Sequence, residues 1–102
     1  MAQFQAYRNP RASRDRVPFL LDVQSDIVTI ATRLVAPLML EKDFETRLPR
    51  LNPRLHVGTA AVVMSTADLA GVPLRDLREW VADLSPQRAE IQAAIDFLLL
   101  GY

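Results

Sequence analysis

Only the C-terminal part of the sequence has the composition of a long, uninterrupted helix. Ser85 is a favourable N-cap residue, and Pro86 suits the first helical position. From there to Leu100 the sequence is rich in Ala, Gln, Glu, Ile and Leu and contains no helix breaker. The preceding residues form shorter apolar segments separated by prolines and polar residues, which favours strands. We therefore expect a mainly β domain with a C-terminal α-helix.

Six segments have the alternating or β-branched pattern that is typical of strands. Gly58-Thr59 separates the last two of them and predicts a hairpin. Pro37 cannot donate a hydrogen bond to a sheet, so we expect it at an edge, a bulge or a strand end. The expected architecture is an antiparallel sheet, bent strongly into a small barrel, with a terminal helix. The six segments are residues 3–7, 19–24, 27–32, 34–38, 55–57 and 61–64.

The segments between these strands are polar, charged or rich in proline. Residues 41–54 are charged and contain two prolines, so they predict a long surface loop. Residues 65–68 resemble a capping box over a short helical turn that ends at Gly71. Residues 74–84 are compatible with either helix or irregular structure.

Length and composition limit the class of protein. A chain of 102 residues suits one domain, here residues 1–102, with one modest core. It has no cysteine, which excludes disulfides, thiolate nucleophiles and most structural zinc sites. No apolar run reaches the roughly eighteen residues needed to span a bilayer, and residues 1–8 lack the apolar core of a secretory signal. We expect a cytoplasmic protein without membrane contact.

Charge is distributed unevenly although the formal net charge is zero. Residues 1–58 carry nine basic and six acidic side chains, whereas residues 59–102 carry three and six. The sequence pI of about 6.6 and the lack of interleaved aromatic residues argue against nucleic-acid binding. The basic clusters are interpreted as solvated loops or as a docking site for an acidic peptide. They comprise Arg8, Arg11, Arg14 and Arg16 in one segment and Arg47, Arg50 and Arg54 in another.

The terminal helix has two apolar sides. The expected core stripe contains Ile91, Ala94, Ile95, Leu98 and Leu99. The opposite side, where a surface helix normally carries charges, contains Ala89, Ala93, Asp96, Phe97 and Leu100. This second side predicts contact with the sheet, with a second copy of the chain or with another protein. A terminal carboxylate on Tyr102 is also expected to lie near the negative end of the helix dipole, where a cation from a partner is favourable.

No arrangement of residues predicts a catalytic or metal site. The lone His56 lies on a predicted strand, and a structural role is the better interpretation. Trp80, the only tryptophan, is expected to pack in the connection before the helix. Asp22 and Asp26 are more consistent with ordering a turn than with acid–base catalysis. Since no phosphate-binding loop, metal-ligand cluster or nucleophile elbow is present, we expect a protein that is not an enzyme and uses no cofactor or metal.

Nearly the whole chain resembles the CcdB family of toxins. Three blocks are quite specific in their order and spacing: Gln3-Phe4, Val23-Gln24-Ser25-Asp26 and Ala82-Asp83-Leu84-Ser85. The N-terminal arginine-rich loop is about two residues longer than the family pattern. Further matches are Tyr7, Asp22, Ile27, Val35, Pro37-Leu38, His56-Val57-Gly58, Asp68, Val72-Pro73 and Val81.

The resemblance implies both a fold and a function. The fold is an SH3-like barrel-type antiparallel sheet, with a small accessory sheet and a terminal helix, in a tight homodimer. The function is binding of the A subunit of DNA gyrase and trapping of its cleaved-DNA intermediate. The resemblance also implies a CcdA-like antitoxin that neutralises the toxin and links it, only indirectly, to operator DNA.

The resemblance also indicates which residues contact gyrase. The family's Trp-Gly-Ile ending corresponds to Leu100, Gly101 and Tyr102, and polar helix positions of the family correspond to Ala89, Ala93 and Asp96. Ile27 and Val28 match an apolar pair near the dimer axis. Gln3, Phe4, Tyr7 and Ser25 match residues adjacent to the dimer and gyrase surfaces.

Antitoxin binding is expected at Arg11, Arg14 and Arg50, because an acidic or amphipathic tail complements the basic segments. Two alternatives remain open at this point. One is an endoribonuclease toxin similar to the MazF family, with Arg33, Arg54 and His56 as candidate groups. The other is a homologue that keeps the fold and antitoxin binding but has lost toxicity towards gyrase, given the altered terminus.

Overall fold

A computed structural model describes residues 2–102, and within them one curled antiparallel sheet forms a half-barrel closed by a C-terminal helix. The order of strands along the sheet is β4-β5-β3-β2-β1-β7, and β6 pairs with the first half of β3. The strands are β1 Gln5–Arg8, β2 Phe19–Asp22, β3 Thr32–Leu40, β4 Arg54–Val57, β5 Ala60–Met64, β6 Ala70–Pro73 and β7 Trp80–Asp83, and the helix is α1 Arg88–Leu100. The prediction of a mainly β domain with a terminal helix is confirmed.

Apolar clusters cover both faces of the sheet. The larger cluster joins the concave face to the helix through Ile91 and Ala94. The smaller one includes Tyr7 and Leu77 on the other face. All four residues of β2 are buried, which explains its nearly continuous apolar sequence. The two clusters therefore enclose the centre of the sheet, whereas Leu99 and Leu100 at the end of the helix stay exposed.

The hairpin and the long loop lie where the sequence predicts them. β4 and β5 pair around Gly58, whose φ of +60° is the left-handed conformation that favours glycine in a tight turn. The chain from Leu40 to Arg54 has only one short 3₁₀ turn, Glu41–Asp43. Pro37 differs from the prediction because it lies inside β3, opposite Leu20, where the second neighbour of β3 changes from β6 to β5.

The β-branched segment 27–32 is a loop up to residue 31, which corrects the expected strand. The side chain of Gln24 satisfies backbone groups that a neighbouring strand would otherwise bind. It donates to the carbonyls of Val28 and Thr32 at 3.0 and 3.3 Å and accepts from the Leu34 N–H at 2.8 Å. Side-chain hydrogen bonds of this kind compete with regular structure, so β3 begins only at Thr32.

The ends of three other elements also differ from the prediction. Ser85 makes no capping hydrogen bond with its side chain; it begins a 3₁₀ turn, Ser85–Gln87, that leads into α1. The turn after Ser65 spans Thr66–Asp68, and Gly71 lies within β6 rather than at the end of that turn. β1 begins at Gln5 instead of residue 3, because Phe4 has a φ of +68° and turns the chain into the strand.

Two predicted packing roles are also wrong. Trp80 does not pack in the interior: it lies on edge strand β7, 57% exposed, and its Nε1 donates to Gln5 Oε1 at 2.7 Å. On the helix, Ile91 and Ala94 are buried and Ile95 packs against the core, but Leu98 and Leu99 are exposed. The helix therefore leaves the sheet before its last turn.

Candidate functional site

The last turn of the helix ends in a left-handed residue. Gly101 has a φ of +82°, and its N–H donates to the Phe97 carbonyl at 3.0 Å. Such a C-cap stops the helix and turns the chain, a conformation that strains any residue with a Cβ. Tyr102 consequently lines a cavity together with Ala93 and Asp96, while its side chain stays exposed. Three of the residues that the family resemblance associates with gyrase contact are thus brought together.

The cavity beside Tyr102 has a volume of about 480 Å³ and separates the helix from the 47–54 segment. Arg50 lines the cavity from the 47–54 segment. Its Cζ lies 4.3 Å from the centre of the Phe97 ring, a cation–π contact that joins the loop to the helix. Asp96 accepts a hydrogen bond from Gln92 at 3.0 Å. The lining carries charges of both signs: positive at Arg47, Arg50 and Arg54, and negative at Glu90 and Asp96.

The loop of residues 23–31 presents a second apolar surface. Ile27 is 90% exposed, and Val28 and Ile30 are exposed as well. The loop is nevertheless ordered, since Ser25 accepts from the backbone N–H groups of Ile27 and Val28 at 3.3 and 3.1 Å. The ordered loop thus holds these three apolar side chains out of the core.

A buried ion pair anchors this loop to the sheet. Arg33 Nε and Nη2 donate to the two carboxylate oxygens of Asp22 at 2.8 and 3.1 Å, and the side chains are 4% and 0% exposed. Arg33 Nη2 also reaches Asp26 Oδ1 at 3.4 Å, and the Gln3 N–H donates to the same oxygen at 2.8 Å. The expectation that Asp22 and Asp26 order the turn is met, and Arg33 is the residue that joins them.

The same ion pair affects nearby ionisation. Burial works to lower the pKa of Arg33, but the hydrogen bonds and charges of Asp22 and Asp26 outweigh it and raise that pKa. Burial is also the main reason why the pKa of Tyr7 is raised, and the charge of Asp22 adds to the effect. Gln3, Phe4 and Ser25 belong to the same neighbourhood, because the Phe4 N–H donates to the Asp22 carbonyl at 2.6 Å.

The arginines expected to bind the antitoxin lie on separate surfaces. Arg50 faces the helix, whereas Arg14 lines a groove with residues 75–79. Arg11 forms an ion pair with Asp76, in which its Nε and Nη2 both donate to Oδ2, at 3.1 and 2.9 Å. Sequence reasoning missed the 75–79 segment because its pattern was ambiguous between helix and loop.

The groups considered for ribonuclease chemistry are engaged separately. Arg33 is buried against Asp22, and Arg54 Nε pairs with Glu41 Oε2 at 2.6 Å. His56 is exposed, and its backbone exchanges two hydrogen bonds with the side chain of Gln87 at 2.9 and 3.0 Å. Among residues 2–102 no group of three histidines or carboxylates is arranged to hold a metal ion. In the same range no helix has the length and apolarity to cross a membrane.

Comparison with known families agrees with this architecture. The sequence model of the CcdB protein family matches residues 3–101, nearly the full chain. The chain belongs to the CcdB family. Membership supports the role of a toxin in a toxin–antitoxin system, with an antitoxin as its partner. The CcdB resemblance seen in the sequence and the CcdB-like fold are both confirmed.

Proposed function

We propose that this CcdB-family toxin binds the A subunit of DNA gyrase and traps the complex in which DNA is cleaved. The observation that carries the proposal is the left-handed turn at Gly101, which brings Tyr102 beside Ala93 and Asp96. This arrangement offers an aromatic ring, a carboxylate and an apolar helix face to one partner. Leu100 extends the same helix end and is exposed. A gyrase arginine could be held there by charge and by the ring of Tyr102.

Ile27 and Val28 supply a second apolar contact in the proposal. Their loop is held by the Arg33–Asp22 pair and by Gln3, so it enters a complex already ordered. Preordered loops bind with a smaller entropic cost than flexible ones. Phe4, Tyr7 and Ser25 support this surface in the proposal: Tyr7 is buried, and Ser25 accepts hydrogen bonds from backbone N–H groups of the loop.

The experiment that tests the proposal is induction of the full chain in bacteria. DNA double-strand breaks together with growth arrest are expected. RNA cleavage without DNA damage would favour a ribonuclease toxin, and unchanged growth would favour the non-toxic homologue. The matched control is a chain with Tyr102→Ala, which is expected to be non-toxic. Its fold should be unchanged, because the Tyr102 side chain is exposed and lies outside both apolar clusters.

We further propose that the toxin is a homodimer whose interface includes the 23–31 loop and the end of α1. The support is the apolar surface that one chain leaves exposed at Ile27, Val28, Ile30, Leu99 and Leu100. Pairing two copies covers part of this surface, and twofold pairing is the commonest form of association.

A dimer is expected in sedimentation at micromolar concentration. Ile27→Lys is expected to shift the equilibrium towards monomer, since it places a charge within the apolar surface. Leu48→Lys is a matched control, because Leu48 is also exposed but lies in the 41–54 loop. Sedimentation of the unaltered chain as a monomer only would contradict the proposal.

The proposed antitoxin contact uses Arg11, Arg14 and Arg50. Their separate positions imply an extended segment that crosses two surfaces rather than a compact domain in one pocket. Charge complementarity of this kind mainly raises the rate of association. Operator DNA is reached in this proposal only through the antitoxin.

A further inference from the structure

One edge of the sheet is closed by a side chain instead of a strand. β4 lies at one end of the order of strands, and among residues 2–102 it pairs with β5 alone. The Pro53 carbonyl accepts from the Met64 N–H at 3.1 Å, on the side of β5. Because the backbone groups of successive residues point to alternate sides of a strand, those of Arg54 and His56 point away from β5. Such an edge is a template for a further strand.

The carboxamide of Gln87 occupies this edge at His56. Its Oε1 accepts from the His56 N–H at 2.9 Å, and its Nε2 donates to the His56 carbonyl at 3.0 Å. These are the two hydrogen bonds that a residue of a neighbouring antiparallel strand exchanges with the residue opposite. The side chain of Gln87 therefore takes the place of one residue of a strand.

The core fixes the position of Gln87. This residue ends the 3₁₀ turn Ser85–Gln87, and its N–H donates to the Leu84 carbonyl at 2.8 Å. Leu84 lies before the turn and Ile91 lies in the first half of α1; both are fully buried in the larger apolar cluster. Because the chain is anchored on both sides of the turn, the carboxamide is held beside β4.

The other edge of the sheet, β7, is protected in a different way. Its pairing with β1 shifts in register, because Ala6 lies opposite Ala82 whereas Tyr7 lies opposite Trp80. Val81 is therefore an extra residue in β7, which is the pattern of a β-bulge. Bulges bend an edge strand and hinder the addition of another strand. The pairing of β4 with β5 is regular throughout, so β4 lacks this protection.

We propose that Gln87 prevents two copies of the chain from pairing through their β4 edges. Antiparallel pairing about a twofold axis at His56 suits this edge, because one donor and one acceptor there allow two copies to exchange both hydrogen bonds. This register places Arg54 of each copy opposite Gly58 of the other, which keeps like charges apart. The formal net charge of zero adds no general repulsion.

The β4 edge is separate from the dimer interface proposed above. His56 and Gln87 lie outside the 23–31 loop, and Gln87 precedes α1, whereas Leu99 and Leu100 lie in its last turn. A chain with two separate contact surfaces can extend an assembly beyond a dimer. Closing the β4 edge therefore limits the size of the assembly, whichever state the unaltered chain adopts. The inference does not rest on the proposed function.

The test compares Gln87→Ala with the unaltered chain at pH 8, where a histidine side chain carries no charge. At about 10 μM the His56 N–H of the variant is expected to exchange with solvent about tenfold faster, because its acceptor is gone. At about 1 mM the variant is expected to regain this protection and to sediment at twice the mass of the unaltered chain. Protection of His56 in the unaltered chain is expected to be independent of concentration.

Two further variants make the test specific. Gln92→Ala removes an exposed glutamine of α1 whose side chain donates to Asp96, and it is expected to behave like the unaltered chain. The double variant H56P/Q87A removes the donor that a second copy needs, so it is expected not to associate. Proline is tolerated on an edge strand where the N–H points outwards, and circular dichroism checks that the variant is folded.

Three outcomes would overturn the proposal. The first is a sedimenting mass and a His56 exchange rate in Gln87→Ala that equal those of the unaltered chain. The second is association of Gln92→Ala or H56P/Q87A, which would place the contact elsewhere. The third is protection of His56 in Gln87→Ala only after an extended peptide is added, which would assign the edge to a strand of another protein. Pairing through the 23–31 loop is common to all these chains, so it does not affect the comparison.

Discussion

Replacing Arg33 with methionine is expected to lower the free energy of unfolding by about 3–5 kcal/mol. The change removes the guanidinium group that binds both oxygens of Asp22, and Asp22 is 0% exposed. A buried carboxylate without its partner must take up a proton or admit water, and either costs free energy. Urea denaturation followed by circular dichroism measures the loss. The 23–31 loop should also lose protection from hydrogen exchange, because Arg33 donates to the Gln24 carbonyl at 3.0 Å.

Two further variants distinguish the buried contact of Arg33 with Asp22 from its outer contact with Asp26. Asp26→Asn alters the outer contact of Arg33 and is expected to cost less than about 1 kcal/mol, since that side chain is 58% exposed. The double change R33M/D22L is expected to cost less than the sum of the two single changes, because neither charge is then buried alone. A loss below about 1 kcal/mol for Arg33→Met would show that the pair does not anchor the fold.

Tyr102→Ala is expected to abolish toxicity and to weaken binding to a gyrase A fragment by roughly 2- to 30-fold. The corresponding family position of Leu100 is a tryptophan, and leucine has no π-face for an arginine. Tyr102 is 79% exposed. In the proposed complex its ring takes the place of the tryptophan ring and contributes the roughly 0.5–2 kcal/mol of a cation–π contact. Affinity can be measured by calorimetry with the purified chain.

Tyr102→Phe and Leu100→Trp make the test specific. Phenylalanine keeps the ring without the hydroxyl, so binding close to that of the unaltered chain is expected. Leu100→Trp is expected to restore or increase affinity, including in the presence of Tyr102→Ala. Binding of the unaltered chain that is indifferent to Tyr102→Ala would refute the role of the ring. Failure of all five chains to bind, the unaltered chain included, would favour the non-toxic homologue.

Local signals explain which elements could be predicted from the sequence. The terminal helix, the hairpin at Gly58 and the irregular 41–54 segment each depend on residues within a few positions of one another. The 23–31 loop could not be predicted in that way. Its β-branched residues favour a strand, but Gln24 and the Arg33–Asp22 pair hold it in another conformation. Those contacts join residues that the alternating pattern of apolar and polar side chains does not link.

The sequence indicated some residues of the candidate site but not how they are arranged. The helix pattern indicated that Ala93 and Asp96 share a side, but the cavity also needs the turn at Gly101 and the contact between Arg50 and Phe97. The groove at Arg75 and Arg78 was missed, because β1 and β7 pair across more than seventy residues and bring Arg8 to Glu79. Such long-range pairing leaves no trace in local sequence periodicity.

The packing of both faces of the sheet bears on how such a toxin can evolve. Ile27, Arg75, Arg78 and Tyr102 are exposed and belong to neither apolar cluster. Surface substitutions away from buried features usually change stability by less than about 0.5 kcal/mol. Mutations that alter affinity for a target or an antitoxin can therefore accumulate at these exposed positions with little effect on the stability of the fold. Partner specificity can diverge between related toxins while selection on the interior keeps the scaffold the same.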